Sequence, residues 1–302
     1  EIHERLVGSE MCIRDSSSSF GERHPGMKRS IIVGLSEKRG TVMPSIVRVA
    51  YFSPTHTTKT VAEEVAGALA APLGASVEIV DLTLPGHRPA DVSCGADDVL
   101  VFGFPVYAGR VPALLRDEFA HLIGQDTPAV IVGLYGNRDF DDALLEAADL
   151  LGERGFDVVA AGAFIGEHSL TARVGTGRPD DADVAAAQRF GRELGERLAR
   201  GSRLPQPAIK GNRPYKELKP GADVRPITTD ACTSCGICAA RCPLGIIDED
   251  DPALIGEGCL HCCACVKSCP EDAKYFSSES TDAVIAMLES KCLERKEPEL
   301  FW

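Results

Sequence analysis

Ile46-Val47-Arg48-Val49-Ala50-Tyr51-Phe52-Ser53-Pro54-Thr55-His56-Thr57-Thr58-Lys59 is a short apolar run that meets a proline and turns at once into a helical pattern. Residues 46–52 are rich in β-branched and aromatic side chains and predict a strand. From Thr58 onward, Val61, Val65 and Leu69 recur at i, i+4 and i+8, with Glu63 and Glu64 in the N-terminal half where the dipole favours acids, so a helix follows. The same passage repeats along the 302-residue chain. Residues 76–81, 99–104, 129–134 and 158–164 read as further strands, and 139–154 and 181–200 as helices, the former opening on Asp139, Asp141 and Asp142 and stopping at Gly155. Short apolar strands alternating with helices require parallel strands covered on both faces. The expectation is an α/β fold with a doubly wound, five-stranded parallel sheet.

The turn after the first strand carries chemistry. Ser53, Thr55, Thr57 and Thr58 place four hydroxyls beside an exposed helix N-terminus, Lys59 adds a cation, and no acid occurs from Ser53 to Ala62. Free backbone amides and the helix dipole favour an anion there. One hydroxyl suffices for a helix cap, so four together point to a phosphate. Ligands of open parallel sheets bind at the carboxyl ends of strands, and two further loops lie at such ends. They are Phe104-Pro105-Val106-Tyr107-Ala108-Gly109-Arg110 and Tyr135-Gly136-Asn137-Arg138-Asp139. Each sets an aromatic ring near a glycine, which suits a flat heteroaromatic ring approached closely by backbone. His168, after the last strand, reads as a structural histidine. No carboxylate pair, nucleophile with base, or zinc motif points to hydrolysis.

Nine of the twelve cysteines fall between Cys232 and Cys269, with Cys12, Cys94 and Cys292 scattered elsewhere. They form two near-copies of one motif, Cys232-x2-Cys235-x2-Cys238-x3-Cys242-Pro243 and Cys259-x2-Cys262-x2-Cys265-x3-Cys269-Pro270. This is the ligand spacing of bacterial two-cluster ferredoxins. Three thiolates on a tight loop reach three irons of one cubane, whereas the fourth already turns away and serves the other cluster. The spacing therefore assigns Cys232, Cys235, Cys238 and Cys269 to one [4Fe-4S] cluster, and Cys259, Cys262, Cys265 and Cys242 to a second. Cys263 reads as a small buried residue. A module of this size builds little core alone, so the clusters are expected to supply much of its folding free energy.

The net charge of −13 concentrates in two acidic bodies joined by a basic connector. Phosphate backbones are repelled by such a surface, which argues against nucleic acid as a partner and is compatible with protein partners carrying basic patches or with simple solubility; redox proteins are the expected partners. A membrane span needs ~20 apolar residues, and runs such as 99–109 and 129–136 fall short. No export pattern is visible, so the expected location is cytoplasmic, where clustered cysteines bind metal rather than form disulfides. Residues 1–43 lack a sustained period and read as disordered, with 8–16 resembling translated adaptor sequence and Met27 or Met43 as alternative starts. The domain plan is then a leader at 1–43, a first domain at 44–201, a linker at 202–226, the cysteine module at 227–276, and a C-terminal helix (282–295) and tail within 277–302. The linker holds Pro205, Pro207, Pro214, Pro220 and Pro226, which forbid helix and central strand.

On the loops quoted above, together with Ala163-Phe164-Ile165-Gly166-Glu167-His168-Ser169, the first domain resembles a flavodoxin. Its fusion to a small α+β two-cluster ferredoxin-like module resembles the flavodoxin-ferredoxin fusion proteins of anaerobic bacteria, over residues 46 to 276. The resemblance implies that Ser53, Thr55, His56, Thr57, Thr58 and Lys59 hold the phosphate of FMN. It implies also that Pro105, Val106, Tyr107, Ala108 and Gly109, with Tyr135, Gly136, Asn137, Arg138 and Asp139, flank its isoalloxazine ring. His56 stands where such loops carry glycine, so its side chain crowds the phosphate, forces a strained φ, or adds a hydrogen bond. The leading expectation is an electron-transport protein joining a flavin to iron-sulfur clusters. Two alternatives are an FMN-dependent oxidoreductase acting on a quinone or other small acceptor, with a pocket lined by Tyr107, Arg110 and His168, and a redox sensor whose first domain holds no flavin.

Overall fold

The computed structural model describes residues 44–201, 204–218 and 223–302. Residues 1–43, and with them the expected leader, lie outside the described residues, as does Pro220. In chain order the elements are β1 (Ile46–Tyr51), α1 (Thr57–Leu73), β2 (Ser76–Asp81), β3 (Val92–Ser93), β4 (Asp98–Pro105), α2 (Ala113–Glu118), β5 (Leu122–Ile123), β6 (Thr127–Tyr135), α3 (Ala143–Gly152), β7 (Phe156–Ile165) and α4 (Asp181–Ala199). Beyond the connector come β8 (Ile227–Thr228), α5 (Ile237–Ala240), α6 (Ala264–Lys267), β9 (Lys274–Tyr275), α7 (Glu279–Lys291) and β10 (Glu299–Phe301).

The five expected strands form one sheet in the order β2-β1-β4-β6-β7, with every pair parallel. Counting only these strands, the order is 2-1-3-4-5, the flavodoxin-like doubly wound arrangement, with its switch point between the first and third. Two cores fill its faces, as a sheet buried on both sides demands. On one, Val61, Val65 and Leu69 of α1 and Phe190 and Leu194 of α4 pack on Val49, Val101 and Val132. On the other, Leu144 and Leu151 of α3 meet Phe102, Phe104 and Ile131. The two helices of the first face approach closely because Gly191 and Gly195 have no side chain. A Cβ there would come within 2.2 Å of Val65 O and 2.3 Å of Leu69 O.

Two expectations are corrected. The sheet has six strands, because β10 pairs antiparallel with β7 through Glu299↔Ala163, Leu300↔Gly162 and Phe301↔Ala161. Three residues are too few to show a period, and what recruits them is the open backbone edge of β7. The terminal helix, capped by the Ser278 hydroxyl accepting from Thr281 N, ends at Lys291 rather than at residue 295.

The helix read at 139–154 begins only at Ala143, because its opening acids serve other partners. Asp139 Oδ1 accepts from Asp141 N, and Asp142 accepts from Asn212 N and Lys216 N in the connector. The described connector residues have neither helix nor strand, as expected, but they lie down on the first domain. Arg213 binds Asp149 at 2.8 and 2.5 Å, Tyr215 Oη donates to the same carboxylate, and Arg110 Nη1 donates to Lys216 O at 2.5 Å. The described residues accordingly all fall in a single compact unit. Among the described residues no helix is long and apolar enough to cross a membrane.

Candidate functional site

The turn out of β1 folds into α1 through His56, the N-cap residue, at φ 67° and ψ −12°. This is the left-handed region that costs a side chain energy and that glycine occupies freely. The strain expected at position 56 is therefore present. Its imidazole turns outward, where Nε2 meets Arg241 Nη1 of the cysteine module at 3.0 Å. Ser53 is buried, and its hydroxyl accepts from Lys59 N at 2.9 Å, closing the loop. The amides of Thr57 and Thr58 have no protein acceptor among the described residues and remain open at the helix end. Thr58 is buried against the sheet, where a Cβ on Gly103 would touch its methyl group at 3.2 Å.

Above this loop lies a cavity, open to solvent, at the carboxyl ends of the central strands. Thr55 and Thr57 line its lower end; Pro105, Val106, Tyr107, Tyr135 and Gly136 line the remainder. Seven expected residues thus meet in one place. The others do not line it. Ala108 and Gly109 turn the chain at φ 53° and 84°, and a Cβ on Gly109 would lie 2.0 Å from Asp141 Oδ2, so glycine is required. The Asn137 amide is spent on the C-terminal segment: Nδ2 donates to Cys292 O at 2.7 Å and Glu294 O at 2.8 Å. Arg138 pairs with Asp141, and Asp139 holds the turn. Lys59 faces Glu63 on the helix surface at 4.0 Å.

Leu134, Cys262 of the cysteine module, and Gly166, Glu167, His168 and Ser169 complete the lining; of the last four, only His168 was expected at a pocket, in the small-acceptor reading. Their signal was the run following the last strand. His168, read as structural, faces the cavity instead. Burial pushes its pKa down to about 4, helped by the positive charges of Lys267 and Arg138. Burial also raises the Tyr107 hydroxyl well above its ordinary value, with the thiols of Cys262, Cys263 and Cys259 adding to the effect. Arg110 is turned away and paired with Glu146 at 2.7 Å, so it does not line the pocket expected of a small-acceptor reductase.

The cysteine module contains two further cavities. Cys232, Cys235, Cys238 and Cys269 line one, beside Pro252 and Lys274. Cys242, Cys259, Cys262 and Cys265 line the other, walled by Pro243, Ile247, Ile255 and Phe276. Each set takes its fourth thiol from the other copy of the motif. Among the described residues no three His, Cys, Asp or Glu side chains converge as ligands of one metal ion; the thiols stand around cavities. Burial pushes the thiols of Cys262 and Cys265 up to about 12. Cys263 is buried at φ 60°, the N-cap of α6.

The second of these cavities abuts the first domain. Cys262 lines both it and the cavity of the sheet. Around that contact, Lys267 Nζ binds Glu167 Oε1 at 2.6 Å and Arg88 Nη2 donates to Pro243 O at 2.7 Å. Lys267 is thus part of the contact between modules.

No protein-family model matches the sequence, and no curated protein matches it. Among solved structures, the chain is similar to a flavodoxin from the domain Archaea at 16% identity and a TM-score of 0.36, over 51% of this chain and 98% of that one. It is similar to two-electron reduced Megasphaera elsdenii flavodoxin at 22% identity and a TM-score of 0.35, over 51% and 98%. It is also similar to azoreductase from Bacillus anthracis at 12% identity and a TM-score of 0.36, over 51% and 99%.

Proposed function

We propose that the chain is an electron-transfer protein in which FMN occupies the cavity of the sheet and two [4Fe-4S] clusters occupy the two thiol-lined cavities, with Cys263 lining the second beside its four expected ligands. The observation that carries this reading is that Cys262 lines both the sheet cavity and the adjoining thiol cavity. One side chain would separate the two redox groups. When bound, the flavin exchanges one or two electrons and each cluster exchanges one, so their union connects two-electron with one-electron partners.

The residues fit these groups. Thr55, Thr57 and the open amides at the α1 N-terminus suit a phosphate. Tyr107 and Tyr135, beside Gly136, suit a flat ring. Each expected thiol set offers one ligand per iron of a cubane, its fourth thiol coming from the other copy of the motif. The chain itself would hold the two kinds of cofactor beside one another. The Lys267–Glu167 pair and the Arg88 contact fix the cysteine module over the cavity. The thiols of Cys232 and Cys235 belong to the more open set, with Cys235 exposed, so electrons would enter or leave the clusters there.

Protein purified without oxygen is expected to contain about eight irons and one FMN per chain. Reduction of its clusters should bleach the flavin absorbance at a rate independent of protein concentration. A flavin that stays oxidised beside reduced clusters overturns the reading, as does an iron content near one or two.

A further inference from the structure

His168 is held in one tautomer and one orientation at the wall of the sheet cavity. Its Nδ1 accepts a hydrogen bond from Leu170 N at 3.1 Å, so in the neutral ring the proton resides on Nε2. The ring lies against Gly136, where a Cβ would come within 2.4 Å of His168 Cδ2 and 3.1 Å of its Cα. Any side chain at position 136 would expel it. Nε2 has no protein partner among the described residues, yet it is not a sealed orphan atom. His168 lines the cavity together with Tyr107, Tyr135 and Glu167. Burial together with Lys267 and Arg138 keeps the ring uncharged at neutral pH.

We infer that His168 is a cofactor-binding residue whose Nε2–H donates a hydrogen bond to a ring carbonyl of the flavin. The inference rests on the proposed occupancy of the cavity by FMN and adds a ring contact to it. The backbone amide of Leu170 fixes the tautomer, as a partner on the far nitrogen does for functional histidines generally. Gly136 fixes the orientation. A neutral donor binds the uncharged oxidised ring without adding a positive charge to the site.

The test compares wild type, His168→Gln and His168→Phe as cluster-loaded full-length chains, with His168→Leu replacing the phenylalanine variant if that one does not fold. FMN is titrated by fluorescence quenching and the flavin carbonyl bands are read by infrared spectroscopy. The glutamine variant keeps a neutral N–H donor and should bind FMN within about twofold of wild type, whereas the phenylalanine variant should bind about tenfold more weakly, the equivalent of one net hydrogen bond. The carbonyl bands should move to higher frequency in the phenylalanine variant alone. Equal losses in both variants with unmoved bands would mean that the ring only packs, and would overturn the inference while leaving FMN in place. Tight FMN binding by the phenylalanine variant with unmoved bands would do the same. Failure of wild type to take up FMN would overturn both the inference and the occupancy on which it rests.

Discussion

At the residue scale, several side chains do work that their type alone does not announce. His56 accepts a left-handed conformation at a helix cap that glycine would adopt without cost, and its ring reaches the cysteine module instead of the turn it caps. Asn137 closes three contacts with the C-terminal segment, the third being Lys296 N to its Oδ1 at 3.3 Å. His168 titrates at about 4 in the folded chain, below the ~6.5 of an unfolded histidine. The sign of the resulting linkage is fixed: between these values the unfolded state takes up a proton that the folded state does not. Stability is therefore full above about pH 6.5 and falls as pH drops toward 4. Urea midpoints at pH 7.5 and 5.5 should show this fall in wild type and a smaller one in His168→Gln. An identical fall in both would assign it elsewhere.

At the element scale, the connector is a strap rather than a tether. Asp149 on α3 collects Arg213 and Tyr215, and its carboxyl is held below the usual range by Arg213 first and Tyr215 second, against the opposing effect of burial. A depressed carboxylate contributes stability above its unfolded value of ~3.9 and loses it as pH falls below. Asp149→Asn should raise hydrogen exchange in residues 204–218 at neutral pH, and acidification below about pH 4 should do the same in wild type. Unchanged exchange in the variant would remove the strap. The last strand answers a different need, since β7 would otherwise end the sheet with an open edge. Deleting residues 299–302 should therefore promote association, read as a larger species by light scattering. The deletion also removes the contact of Arg197 with Trp302, 4.3 Å from the ring centroid.

At the scale of the whole molecule, the decisive feature is that the cysteine module contributes a wall residue, Cys262, to the sheet cavity. The Lys267–Glu167 pair is partly exposed, so its contribution to stability is small and screened by salt. With FMN and the two clusters bound as proposed, its place at the contact would give it a larger kinetic role. Glu167→Lys should leave iron content near wild type, yet slow flavin reduction by the clusters, because the two lysines repel across the contact. A rate equal to wild type at low salt would show that other contacts suffice. Chelation of iron should unfold the cysteine module before the doubly wound domain, visible as two separated transitions by circular dichroism.

The sequence by itself determined the α/β class, the positions of the five parallel strands and the repeat of the cysteines, because each is written in local spacing. A period of two or 3.6, a proline, or a thiol every third residue acts over a few positions and needs no distant partner. Thr55, Thr57, Tyr107 and Tyr135 were legible for the same reason, since the carboxyl ends of parallel strands must meet. Only the tertiary structure decided the sixth strand, the use of Asn137, the orientation of His168 and the sharing of Cys262 between two cavities. These join residues far apart in the chain, such as Asn137 with Cys292 and Lys267 with Glu167. Such pairs are selected by which open edges, unpaired amides and charges the packed elements bring face to face, and no local pattern records that choice.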